Sequence, residues 1–130
     1  MTLVFWVHSK ELPSMRLQER HLRRLREGLP QARIVHCTCR QEFLEALPEA
    51  EVVSSWLTKQ EWLELAPRLR RIISPAAGRE HQPARLPAGV TIESCTFHGK
   101  IMAETSVAMI LCHARGLLRS DRMQKAGLPW

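Results

Sequence analysis

Four cysteines and six histidines are the side chains best able to do chemistry in this chain. His36, Cys37 and Cys39 lie together, and Cys95 stands close before His98. Zinc segments space their ligands as C-x2-C or H-x3-H pairs, and neither spacing occurs. The thiols therefore read as free groups in a reducing compartment, and no metal site is expected. His8, His21, His81 and His113 have no partner at a catalytic spacing. Ser74 and Ser94 lie in no nucleophile elbow. No G-x-G-x-x-G is present, so these residues offer no cradle for a dinucleotide phosphate. What remains is backbone chemistry. In Pro75-Ala76-Ala77-Gly78 the small side chains leave amides open, which suits an anion such as a carboxylate. The same four residues also make an ordinary turn.

The elements that must position such a loop are set by periodicity. Short β-type runs cover 3–7, 32–37, 51–56, 69–74 and 90–94. Helical patterns separate them. Met15, Leu22, Leu25 and Leu29 keep helical spacing up to Gly28-Leu29-Pro30, and 41–47 is helical until Pro48. Trp62, Leu63 and Leu65 belong to a helix closed by Pro67, and Thr58-Lys59-Gln60-Glu61 predicts a capping box at its start. Strands separated by helices predict an α/β fold, a three-layer flavodoxin-like domain with a five-stranded parallel sheet in the order 2-1-3-4-5. The longest irregular segment is 75–89.

After Gly99 the pattern changes to one long helix over 101–118. Val107, Ile110, Leu111, Ala114 and Leu118 share a side, and Met102, Met109 and Cys112 widen the apolar surface. A helix apolar around so much of its girth expects a second partner. In a doubly wound sheet, ligands sit beyond the carboxyl ends of the strands. Trp56-Leu57, the Pro75–Gly78 loop and Thr96-Phe97-His98-Gly99 all meet that description.

The net charge is +6, which raises nucleic acid as a partner. The excess is concentrated at Lys10, Arg16, Arg20, Arg23, Arg24, Arg26, Arg33 and Arg40, mostly on one amphipathic helix opposite its apolar stripe. No aromatic residue is interleaved with them and no nucleic-acid motif appears, so a solvated helix face is the preferred reading. No apolar run approaches the roughly 18 residues needed to span a bilayer. The start, Met1 to Val7, lacks a basic n-region and reads as a strand, so a cytoplasmic location is expected.

Three segments in combination are more specific than any one. Ile72-Ile73-Ser74-Pro75-Ala76-Ala77-Gly78-Arg79-Glu80-His81 runs a hydrophobic strand into a small-residue loop and an acidic turn. Pro87-Ala88-Gly89-Val90-Thr91-Ile92 leads into the last strand. Phe97-His98-Gly99-Lys100-Ile101-Met102-Ala103-Glu104 opens the long helix around Ala-Glu, and Ser106 to Arg115 continues it. Together these resemble the D-2-hydroxyacid dehydrogenases, nearest the glyoxylate/hydroxypyruvate reductase type, from about Glu51 to Arg115. Gln124 and Trp130 are similar to the end of that family's helix region, before its Rossmann domain.

The resemblance implies NAD(P)-dependent hydride transfer to a small 2-keto acid. It implies that Ala76, Ala77 and Gly78 hold the substrate carboxylate, that Trp56 and Leu57 line the cleft, and that Met102 and Glu104 sit at the hinge facing the nucleotide half. It divides the chain into an incomplete substrate-side domain, 1–99, and an inter-domain helix with the start of a linker, 100–130. The family's catalytic arginine, glutamate and histidine lie in or after the Rossmann domain, so no catalytic residue and no bound cofactor is expected here. The chain is expected to be a truncated, inactive form that self-associates through 101–118. Three departures stand out. Arg79 replaces an uncharged residue and is expected to point to solvent, Glu80 stands where aspartate is usual, and Thr105 follows Glu104 where His or Tyr is common. Two alternatives stay open, a non-catalytic flavodoxin-like binding module and a basic nucleic-acid-binding module. A receiver is disfavoured because Val7-His8-Ser9-Lys10 stands where its acidic cluster belongs.

Overall fold

The computed structural model describes residues 1–128; Trp130, which resembles part of the family's helix end, lies outside the described residues. The residues fall into two compact units, Met1–Cys95 and Thr96–Trp130.

In the first unit, β1 (Thr2–Trp6), β2 (Arg33–His36), β3 (Val52–Ser55), β4 (Arg71–Ser74) and β5 (Thr91–Ser94) form one sheet. Its order is β2-β1-β3-β4-β5 and every pairing is parallel, as the strand–helix alternation predicts. Strand side chains alternate between faces. Val4, Val53 and Ile72 share one face and are almost wholly buried. Against them pack α2 (Arg40–Ala46), through Phe43, and a 3-10 segment, Gln60–Leu65, through Trp62 and Leu63. Phe43 stacks on Trp6 at 5.2 Å between ring centres and meets Trp62 edge-on at 5.7 Å. Leu3 and Phe5 on the other face are buried too, and α1 (Glu19–Gly28) lies against β2 with Leu22 buried. A parallel sheet is stable only when both faces are covered in this way.

The helix ends obey local chemistry. Gln18 and His21 cap α1 reciprocally, the Gln18 amide donating to His21 Nδ1 at 3.1 Å. The Thr38 amide donates to the Glu42 carboxylate at 2.7 Å, ahead of α2. That bond, with a second from the Thr38 hydroxyl, holds the Glu42 carboxyl below its usual range.

Two local expectations fail. The capping box at Thr58 and Glu61 does not form, and the segment is a 3-10 run whose first turn has no side-chain cap. Thr58 is buried and bonds Ser55 instead; tertiary burial outcompetes the local cap. The long helix also does not run unbroken to Leu118. It begins at His98 as α3 (His98–Ala114) and breaks at Gly116, whose φ of +65° is left-handed; α4 (Leu117–Lys125) then leaves at a 61° bend. The glycine needed for a C-cap sat inside the expected helix.

α3 carries no buried residue. Ile101, Met102, Val107, Met109, Ile110 and Leu111 are all more than half exposed. No single helix among the described residues is long and apolar enough to cross a membrane; α3 and α4 meet length and composition limits only as a bent pair.

Candidate functional site

The carboxyl ends of β3 and β4 are finished by serines, and these organise the loops beyond them. Ser55 and Ser74 are fully buried, and a buried hydroxyl needs partners. Ser55 donates from Oγ to the Leu57 carbonyl at 2.8 Å, so its 2.8 Å contact with Thr58 Oγ1 is a bond donated by the threonine. The Thr58 amide in turn donates to the His81 carbonyl at 3.1 Å. Ser74 Oγ accepts the Ala76 amide at 3.2 Å, and the Cys95 amide is shared between the Ser74 and Ala76 carbonyls at 3.2 Å each.

Gln82 ties the two strand ends together. Its Nε2 donates to the Trp56 carbonyl at 3.2 Å and reaches Ser74 Oγ at 3.4 Å and the Ser55 carbonyl at 3.5 Å. The segment 75–82 is therefore pinned at Ala76 by Ser74 and at Gln82 by the end of β3. Between those pins, the amides of Ala77 and Gly78 donate to no group among the described residues. Ala77 is exposed and Gly78 partly so. Held backbone with free donors at the carboxyl edge of a parallel sheet can donate hydrogen bonds to an anion.

Trp56 and Leu57 continue directly from the carboxyl end of β3. Trp56 is half-buried and its Nε1 donates to the Met15 carbonyl at 3.1 Å, so its ring is fixed in place. Leu57 is exposed and lines an open groove of about 530 Å³ together with Thr58, Lys59, Glu80, His81 and Arg85. Arg79 is exposed, as expected of a loop arginine, and pairs with no acid among the described residues. Glu80 behaves differently. Its carboxylate lies over Gly78 so closely that a side chain at 78 would collide with it. That carboxylate has neither an ion pair nor a hydrogen bond among the described residues.

In the second unit, Met102 and Glu104 lie in the first turns of α3 and both are exposed. Glu104 reaches Lys100 at 3.9 Å. Thr105 and Ser106 turn their hydroxyls back onto the Ile101 and Met102 carbonyls at 2.8 Å, which spends them on the helix itself. Of the third predicted loop segment, His98 already belongs to α3, and its ring stacks on Phe97.

The cysteines are free thiols, and no group of three or more potential ligands is gathered for a metal among the described residues. Cys37 is buried, and that burial pushes its thiol up to about 11, the opposite of an activated nucleophile.

Sequence reading found Ala76, Ala77 and Gly78 but not Ser55, Thr58, Ser74 and Gln82, which hold them. A serine ending each of two apolar strands was the one local sign. The reach of Gln82 to a strand 26 residues away left none.

No family model and no curated protein matches the chain. Solved structures do. A D-isomer specific 2-hydroxyacid dehydrogenase family protein from Aeromonas salmonicida superposes on 99% of the chain with a TM-score of 0.68 and 20% identity. A D-lactate dehydrogenase from Aquifex aeolicus, complexed with NAD and lactic acid, superposes on 100% with a TM-score of 0.66 and 22% identity. An acyclic imino acid reductase in complex with NADPH and D-Arg superposes on 98%, with a TM-score of 0.66 and 14% identity. At these identities the likeness establishes a shared fold. The chain spans about 40% of the length of the structures it matches.

Proposed function

We propose that this chain is the substrate-side portion of an NAD(P)-dependent oxidoreductase of the D-2-hydroxyacid dehydrogenase kind. The observation that carries the reading is the pair of free amides at Ala77 and Gly78, pinned at the carboxyl edge of the sheet. Two neighbouring free amides suit one carboxylate, the group common to 2-keto and 2-hydroxy acids. The Aquifex aeolicus D-lactate dehydrogenase, part of which shares this fold, was solved in complex with NAD and lactic acid.

In this reading Ala76, Ala77 and Gly78 bind the carboxylate while Trp56 and Leu57 line the remainder of the substrate. Residues 1–99 serve as the substrate side, and 100–130 as the inter-domain helix and start of a linker. Met102 and Glu104 then form the hinge toward a nucleotide-binding half. The chemistry of hydride transfer belongs to NAD or NADP, and these 130 residues contain no glycine fingerprint to hold it. These residues by themselves therefore bind a small acid without turning it over, and we propose a cytoplasmic setting for them. The chain self-associates through the apolar surface of 101–118. The specific keto acid is of the glyoxylate or hydroxypyruvate size.

Titrating the 15N-labelled chain with glyoxylate tests the reading. The Ala77 and Gly78 amide resonances are expected to shift together and saturably, while NADH leaves the spectrum unchanged. Glyoxylate shifts spread over the basic α1 face, with 77 and 78 silent, would defeat it.

A further inference from the structure

Gln82 is held to the sheet by one end of its side chain only. Its Nε2 donates toward the Trp56 carbonyl at 3.2 Å, Ser74 Oγ at 3.4 Å and the Ser55 carbonyl at 3.5 Å. Its Oε1 is buried and has no hydrogen-bond partner among the described residues. A buried acceptor left idle is a cost, so what this side chain contributes comes from its donor end. Ser74 Oγ also accepts the Ala76 amide, so one hydroxyl joins both pins of the loop. The stretch between the pins has backbone ties of its own. The Gln82 amide donates to the Arg79 carbonyl at 3.0 Å, closing a turn, and the His81 carbonyl accepts the Thr58 amide. Of all these bonds, the one from Gln82 to Ser74 alone joins that turn to the strand from which Ala76 hangs. Ala77 and Gly78 are suspended between the two.

We infer that Gln82 is a positioning residue for the anion site: by donating to both strand ends it keeps the Ala77 and Gly78 amides presented together. The inference rests on the carboxylate-binding function proposed for this loop and names the side chain on which its affinity depends. Gln82 acts on the ligand only through the loop. The backbone tie at His81 survives any substitution at 82, so a weaker site is expected rather than a lost one. The charged and titratable groups around Gln82 are Lys59, Glu61, Glu80, His81 and Arg85 in the groove and Arg79 on the loop. A substitution at 82 leaves all six in place, so each variant is compared with wild type at the same pH.

Glyoxylate is titrated into the 15N-labelled full chain, following the Ala77 and Gly78 amides, at about pH 5 and about pH 7.5. Wild type, Q82M and Q82E are compared. Q82M keeps the length and removes the donor, and it should weaken glyoxylate about 5- to 20-fold at both pH values, the size of one or two hydrogen bonds. Q82E turns the same pin into a pH-dependent one. Its carboxyl would face the Ser55 and Trp56 carbonyls and the Ser74 oxygen, which disfavour the ionised form. The protonated form has one O–H to donate and restores the pin. Q82E should therefore bind within about 3-fold of wild type at the lower pH and fall to the level of Q82M at the higher. That comparison is made within one folded protein, so it decides the matter even where Q82M does not fold. Q82M as tight as wild type, or a Q82E that keeps one ratio to wild type at both pH values, overturns the role of Gln82 and leaves the carboxylate reading standing. Silence of both amides in the wild type overturns the two together.

Discussion

The two units spend their apolar residues in opposite ways. In Met1–Cys95 the apolar side chains keep strand and helix periods and meet in one core around Val4, Phe43, Val53, Trp62 and Ile72. From Thr96 onward, residues of the same kinds sit on a helix with no preferred side, and none of the described ones is buried. Composition does not separate the regions; periodicity does. A patterned segment has somewhere to put its apolar face, whereas a helix apolar on every side needs a second surface. The proposed carboxylate loop belongs to the patterned unit, where Ser74 and Gln82 tie its ends to β3 and β4.

The sharpest break of this contrast is at Phe43. Phe43→Ala removes a fully buried ring from between Trp6 and Trp62 and should cost about 3–5 kcal/mol in chemical denaturation. Ile110→Ala, on an exposed position of α3, should cost under about 0.5 kcal/mol. Equal losses would mean that the helix has a core of its own.

Association is the next effect in size. The native chain should sediment as a concentration-dependent oligomer, and a Met109→Lys, Ile110→Lys pair should return it to monomer, lowering the denaturation midpoint only at concentrations where the native chain is associated. A clean monomer of the native chain at high concentration would remove the need for a surface across α3.

A smaller, pH-dependent difference distinguishes the cysteines. Cys37 has its folded thiol raised from 9.0 to about 11, by burial first and by the nearby Glu42 second. A raised acid pKa means that the folded state keeps its proton longer. The stabilisation is therefore complete below pH 9 and is lost as pH rises through 9 to 11. Cys37→Ala should flatten that decline. At about pH 8, below the ordinary thiol range, iodoacetamide should label exposed Cys39 while sparing Cys37 until the chain unfolds. Early labelling of Cys37 would mean that its strand end opens readily.

The least effect is expected at Gly78. Its backbone needs no glycine conformation, and the nearest obstacle to a side chain is the end of Glu80, a flexible and exposed group. Gly78→Ala should push Glu80 aside for less than about 1 kcal/mol. A large loss would show that Glu80 is held there by more than its own rotamer preference.

How far the sequence reaches differs element by element. All five strands and their order were legible, because alternation with helices leaves few chain paths once right-handed crossovers are required. The Pro75–Gly78 loop was legible as a place where amides are bare. Its supports were not, since Gln82 acts on the Trp56 and Ser74 ends only after the sheet has brought β3 and β4 side by side. The helix break at Gly116 was underestimated for a related reason. A lone glycine inside an apolar run is compatible with either a continuous helix or a left-handed cap.

Periodicity by itself determined the sheet and its order, and small residue types marked the bare loop, because those depend on residues near one another along the chain. Tertiary structure alone decided that Thr58 would abandon a local cap for Ser55, that Gln82 would clamp two strand ends, and that Glu80 would lie over Gly78. Those outcomes set one hydrogen bond or one charge against competitors distant in sequence, and only the packed sheet puts the competitors within reach.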